Sequence, residues 1–270
     1  MSIIKSCCTI IPLHSPKFEF GLRFLESANK LANLDHDFYF VFTNEQEYSA
    51  FKSLSNYKFK HIILPPQLLL FTSIVTIKKF YALSILVNEY KYFGVFDSEV
   101  VVVKPVNLND MYSDIFNCKK LKCNISHNGS NLIKNAYEKL QLSDKSNKME
   151  QIIKGKYYWW FNEIPVYESE SVKRFLSHLN NLNNLNEIQN DYWCFDYILY
   201  GIWLLIMEDF DIQKIDVTSE WGVVEDNRIV QEEKDKLTSL FNSFWETNSK
   251  NHHSYDKIKL ILHVDTHGRG

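Results

Sequence analysis

Glycine and proline are scarce, at eight and six residues in 270, which excludes collagen-like and low-complexity chains. No sign of charge dominates: 30 basic side chains stand against 33 acidic ones, a formal net charge of −3. A dedicated duplex-DNA binder carries a basic excess, so no nucleic-acid partner is expected. So small a net charge beside 45% hydrophobic content also excludes a disordered chain. Cysteine is sparse and odd in number: Cys7, Cys8, Cys118, Cys123 and Cys194, without a CxxC pair. These read mostly as reduced core residues, as expected in a cytosol, and a zinc site would need four ligands at finger-like spacing. Long apolar runs are missing too. The most apolar stretch, Tyr197 to Met207, is about half the length of a bilayer crossing. Met1 to Ser15 has one Lys before its apolar run and lacks a signal-peptide cleavage site. A cytoplasmic location is therefore expected.

What is abundant is aromatic: 15% of the chain is Phe, Trp or Tyr. The first third alternates between two periodicities. Cys7–Leu13, Asp37–Thr43, Phe59–Leu64 and Tyr92–Phe96 are short apolar or β-branched runs that predict strands. Phe18–Leu34, Glu45–Leu54 and Thr76–Tyr90 carry helical spacing between them. Strands separated by helices predict an α/β fold, one Rossmann-like domain with a mainly parallel central sheet flanked by helices. After Pro105 the pattern changes. Residues 106–150 mix polar turns with helical pieces, including Asn131–Leu140; Tyr157–Tyr167 looks extended; Ser169–Leu179 and Asp191–Met207 predict helices; Lys257–Leu262 predicts a late strand. Residues 180–187 read as a polar loop or a frayed helix end. No linker separates two domains.

The strongest chemical signal is Tyr92–Pro105, YFGVFDSEVVVVKP. In extended chain, residues i and i+2 point to one side, so Asp97 and Glu99 can present two carboxylates together. Adjacent carboxylates repel, and a divalent cation with oxygen ligands relieves that repulsion. A bland surface turn is the alternative, although such a turn would normally carry Gly, Asn or Pro. A second signal lies near the end, where His263, Asp265 and His267 follow a strand-like run at period two. Mn²⁺ or Mg²⁺ with mixed oxygen and imidazole ligands would suit Asp97, Glu99 and one such His. The competing reading is an exposed tail with incidental histidines. The chain stops at Gly270, just past these residues, and can also be read as a piece of a longer protein.

The order of these parts resembles the nucleotide-diphospho-sugar glycosyltransferases of the GT-A fold, notably bacterial enzymes that build capsule polysaccharide or lipooligosaccharide. It is also similar to the glycogenin-like retaining family. The resemblance rests on the Ile10–Ser15 strand end, the basic pair Lys78-Lys79 about eighteen residues ahead of Asp97, the D-x-D-like Asp97-Ser98-Glu99, and a late strand ending in His. It implies a donor half, residues 1–105, and an acceptor half, residues 106–270, of one catalytic domain. It implies nucleotide contacts at Pro12, Leu13 and His14, a fixed cation at Lys78 or Lys79, and donor-phosphate and metal contacts at Asp97, Ser98 and Glu99. His263 and His267 compete for the third metal ligand. Two departures stand out: Glu99 replaces the second Asp, and the usual Gly three residues after the terminal His is missing. A solvated helix face competes with the cationic role of Lys78 and Lys79.

The resemblance also implies a partner pair, a nucleotide-sugar donor and a saccharide acceptor that can be lipid-linked, with peripheral contact at the inner face of the membrane. UDP-sugars are favoured because a D-x-D-like element suits a diphosphate with metal, whereas CMP donors carry a single phosphate. The acceptor is expected near Tyr157–Glu163, where five aromatics stand beside a carboxylate. Sugar C–H faces stack on aromatic rings, although part of such a run must be core. An inverting enzyme needs a general base, for which Glu163, Asp191 and Asp196 are candidates. By the resemblance Asp196 contacts the donor sugar, while Asp191 can also be a charge favoured near a helix N-terminus. Glu220, Trp221, Gly222 and Glu225 suggest a further loop near the acceptor. Two other functions compete: a non-catalytic carbohydrate-binding protein built on the aromatic cluster, and a haloacid-dehalogenase-like phosphatase, whose second Asp would be Glu99 here and whose motif lies nearer the chain start.

Overall fold

A computed structural model describes residues 5–33, 35–98, 100–102, 105–159, 164–214 and 261–263. Its first third is a regular alternation: β1 (Lys5–Pro12), α1 (Phe18–Leu31), β2 (Asp37–Phe42), α2 (Glu45–Leu54), β3 (Lys60–Ile63), α3 (Ile74–Leu86) and β4 (Tyr90–Val95). There follow β5 (Val100–Val102), α4 (Leu108–Asn117), β6 (Lys120–Ile125), α5 (His127–Leu140), α6 (Lys148–Lys154) and β7 (Tyr157–Tyr158). The remaining elements are β8 (Val166–Glu168), α7 (Ser169–Asn180), α8 (Leu185–Asn190), α9 (Asp196–Met207), β9 (Asp211–Lys214) and β10 (Ile261–His263).

The central sheet has the order β3-β2-β1-β4-β8. Its first four strands are parallel, and β8 adds antiparallel to β4, with Phe93 opposite Tyr167. The fold is therefore α/β with a mostly parallel central sheet flanked by helices. β1 reads as a continuous apolar run because both of its faces are covered: Cys8, Ile10 and Ile11 are all fully buried. The chain lays down β1, β2 and β3 toward one edge and then returns to place β4 on the other side of β1. That reversal makes the space between the carboxyl ends of β1 and β4 a topological switch point, where open α/β sheets bind ligands.

Two smaller sheets complete the described structure. β10 runs antiparallel to β5, and β6 lies between β7 and β9. α9 is apolar on every side, and each residue from Asp196 to Leu205 is buried, as expected of a helix enclosed by the core. It opens at Asp196, not at Asp191 as its apolar pattern suggested, because the Asp191 carboxylate accepts from Trp193 N at 2.8 Å and shapes a turn there. The polar residues 180–187 end one helix and begin another, α8.

Candidate functional site

Helix α3 carries the adjacent lysines, and neither lies on a solvated face: each is only 2% exposed. Successive helical residues point about 100° apart, so the two reach different partners. Lys79 Nζ lies 2.8 Å from Asp97 Oδ1 and 2.9 Å from Asp196 Oδ1. Tyr167 of β8 donates its hydroxyl to the other oxygen, Asp196 Oδ2, at 2.7 Å. One cluster thus ties α3, the end of β4, β8 and the first residue of α9. Burial alone would drive the Lys79 amine toward neutrality. The Asp196 and Asp97 carboxylates outweigh it and hold the amine above the ordinary lysine range. Asp196 gains further from the N-terminal end of its helix. The Asp97 side chain keeps 26% of its surface exposed, so it can be reached from outside while Lys79 holds it.

Lys78 points to the end of β1. Its Nζ donates to Leu13 O at 2.6 Å and lies 3.9 Å from Glu47 Oε2. Burial pulls this amine down to about 8, and Glu47 offsets only part of that. Glu47 in turn accepts from Thr43 N at 2.9 Å and from Ser15 N at 3.3 Å. Leu13 N donates to Val41 O at 3.0 Å. The segment Pro12–Ser15 is therefore held from both sides at the switch point. Pro12 and Leu13 are buried and His14 is half-buried.

The other predicted residues divide. Ser98 is buried beside Asp97. His263 stands opposite Val100 in the β5–β10 pair, so its backbone lies across from the residue that follows Glu99. Glu99, Glu163, His267 and residues 220–225 lie outside the described residues. Among the described residues no group of three or more His, Cys, Asp or Glu side chains is placed to hold a metal. Asp191 has different partners from Asp196. It is ion-paired with Lys139 and accepts from Asn135 Nδ2 at 3.0 Å. Burial raises its pKa, but these partners outweigh burial and hold it down at about 2, which makes it a weak base at neutral pH. In the aromatic run, Tyr158 and Trp159 are buried core and Tyr157 is half-buried.

Two residues of the site were not singled out from the sequence. Glu47 carried a usable signal, since Asn44 and Glu47 have capping-box spacing and Asn44 Oδ1 accepts from Glu47 N at 2.9 Å. Tyr167 carried none, because nothing in an aromatic run marks the hydroxyl that will meet a buried carboxylate.

No protein-family model matches the chain, nor does any curated protein. Among solved structures it is similar to core-mannan synthase A from Aspergillus fumigatus in a Mn/GDP form, at 11% identity and a TM-score of 0.47, over 79% of this chain and 73% of that one. It is also similar to mouse xyloside xylosyltransferase 1 in its apo form, at 10% identity and a TM-score of 0.48, over 98% of each chain. At these identities and TM-scores, neither likeness assigns an activity to this chain.

Proposed function

We propose that the protein is a metal-dependent glycosyltransferase. It moves a sugar from a nucleotide-diphosphate sugar, UDP-linked by preference, to a saccharide acceptor on a growing bacterial surface glycan. The observation that carries this reading is the Lys79 cluster, which brings Asp97 and Asp196 together beside the switch point, across from the braced Pro12–Ser15 segment. The same positions carry the sequence resemblance. The capsule or lipooligosaccharide acceptor, its lipid linkage and peripheral contact with the cytoplasmic face of a membrane rest on that resemblance. No described helix is long and apolar enough to cross a membrane.

A carboxylate held on one side by Lys79 and partly exposed on the other fits a divalent-ion ligand. Carboxylate with imidazole suits Mn²⁺ or Mg²⁺, so Asp97, Glu99 and one of His263 and His267 would hold the ion. When bound, such an ion offsets the charge that develops on a departing nucleoside diphosphate. The chain's own residues do the positioning. Lys79 fixes the Asp97 carboxylate against Asp196, which is buried and fully engaged by Lys79 and Tyr167, so Asp97 is the member of the cluster that a donor would meet. Lys78 and Glu47 fix the Pro12–Ser15 backbone, where the nucleotide would rest. Glu163 serves as the candidate general base if the anomeric configuration inverts.

The test is hydrolysis of UDP-, GDP- and CMP-sugars with and without Mn²⁺, paired with thermal unfolding in the same nucleotides. A UDP-sugar turned over only with metal supports the reading. If no nucleotide sugar is hydrolysed and no nucleotide raises the melting temperature, the reading is lost.

A further inference from the structure

Most large aromatics of the described residues are core, but Tyr192 and Trp193 are not: they are 48% and 52% exposed. Exposed large apolar side chains that cluster mark binding surfaces more often than isolated ones do. These two are clustered. Their rings meet edge to face, with centroids 5.2 Å apart and planes at 87°. Both contact Phe195, at 6.0 and 6.1 Å, and Phe195 stacks on buried Tyr197 at 5.6 Å. The outer rings are thus the open end of an aromatic series rooted in the core.

The backbone beneath them is fixed. Asp191, the carboxylate bonded to Lys139 and Asn135, also accepts from Trp193 N, and Cys194 N donates to Asp191 O at 3.1 Å. Ser73 N donates to Gln189 O at 3.2 Å, and Thr76 Oγ1 donates to Cys194 O at 3.5 Å. The turn is therefore braced against the start of α3, one helical turn before Lys79. Trp193 precedes Asp196 by three residues, a reach of at most about 11 Å along the chain.

We infer that the Tyr192–Trp193 turn is a saccharide-stacking platform, the subsite that seats an acceptor sugar within reach of the Lys79 cluster. A rigid aromatic surface binds a sugar's C–H face at little entropic cost, while polar groups at its edge meet the hydroxyls. Polar side chains lead into the turn: Asn186 and Asn190 are exposed, and Asn190 is already engaged in part, its Nδ2 donating to Asn186 O at 2.9 Å. A membrane surface is the less suitable occupant. Residues 180–191 contain no Lys or Arg and include Glu187 and Asp191, whereas anionic lipid attracts basic segments. The acceptor role rests on the transferase reading; the capacity to stack a saccharide does not.

Saturation-transfer NMR on the full chain, with the methyl glycosides of glucose, galactose and N-acetylglucosamine as probes, tests the platform. At least one glycoside should bind, Trp193→Ala should weaken it about tenfold, and Trp193→Phe should restore most of the loss. Where transfer is measurable, Trp193→Ala should raise the acceptor KM by a larger factor than it lowers kcat. Equal glycoside affinity in wild type and Trp193→Ala overturns the inference, as does a wild type that binds none of the three. It is likewise overturned if Trp193→Ala releases the protein from phosphatidylglycerol vesicles while leaving glycoside binding intact. Failure of the transferase reading looks different: glycoside binding persists and depends on Trp193, but no donor is hydrolysed with Mn²⁺.

Discussion

Asp37, at the amino end of the parallel sheet, is an acid between two bases; Lys79, near its carboxyl end, is a base between two acids. The first cluster joins the opening residues of four strands. Asp37 Oδ2 accepts from Lys5 Nζ at 2.7 Å and from Tyr90 hydroxyl at 2.6 Å, with Lys60 Nζ 3.1 Å away. Its two lysine side chains are 57% and 42% exposed, so water screens them. The second cluster buries its lysine and Asp196 almost completely. Charge sets of opposite sense at the two ends therefore do different work. The wet cluster fastens strand starts, and either of its exposed lysines can be lost cheaply. In the dry one, the charges depend on one another, and Asp97 is the only one of the three that keeps an exposed side.

Substitutions can break that contrast in order of effect. On the transferase reading, Asp97→Ala should lower donor hydrolysis and transfer by about a hundred- to a thousandfold, the scale of losing one preorganised charge stabiliser, with the fold intact by circular dichroism. Unchanged activity would remove Asp97 from the site. Lys79→Met should cost about 3–5 kcal/mol in urea unfolding, because it leaves Asp196 buried without its cation. A cost near zero would mean that the cluster is as well solvated as the one around Asp37.

Lys78 sharpens the comparison through pH. Its amine falls from 10.5 in an unfolded chain to about 8 when buried. Between those values the unfolded chain binds more protons, so this residue's contribution to stability rises with pH from about 8 to 10.5. Wild type should therefore gain stability relative to Lys78→Met across that window in paired thermal melts, and a flat difference would contradict the burial. The smallest effect belongs to Asp37→Asn, about 1 kcal/mol at neutral pH after allowance for solvent screening. Lys5, Tyr90 and Lys60 outweigh burial and lower the Asp37 pKa from 3.8 to about 2. The stability it supplies is full above 3.8 and disappears as pH falls toward 2.

The sheet was legible where local pattern and burial agree. Asp37–Phe42 follows from a run of aromatic and β-branched residues, and Glu45–Leu54 from helical spacing. β9 was missed because DIQK, mostly solvent-facing, has no apolar face to announce a strand, and its partner β6 lies some 90 residues earlier. α6 is a single short helix after a polar turn and left no sustained period. At the candidate site the basic pair was visible, but its burial was not. Lysines at positions 78 and 79 are normally solvated, and only the carboxylates from β4 and α9, far apart in sequence, make the interior tolerable for Lys79. The difference between Asp191 and Asp196 was hidden for the same reason, since each depends on a cation from a distant helix.

Gly94 sits in β4, three residues before Asp97. A methyl group there would come within 2.2 Å of the Tyr112 ring. That tyrosine is itself hydrogen-bonded to Thr9 of β1 at 2.5 Å. Libraries that randomise β4 should recover glycine at this position even under selection for folding alone. Variation next to Asp97 therefore has to come from other positions than this one.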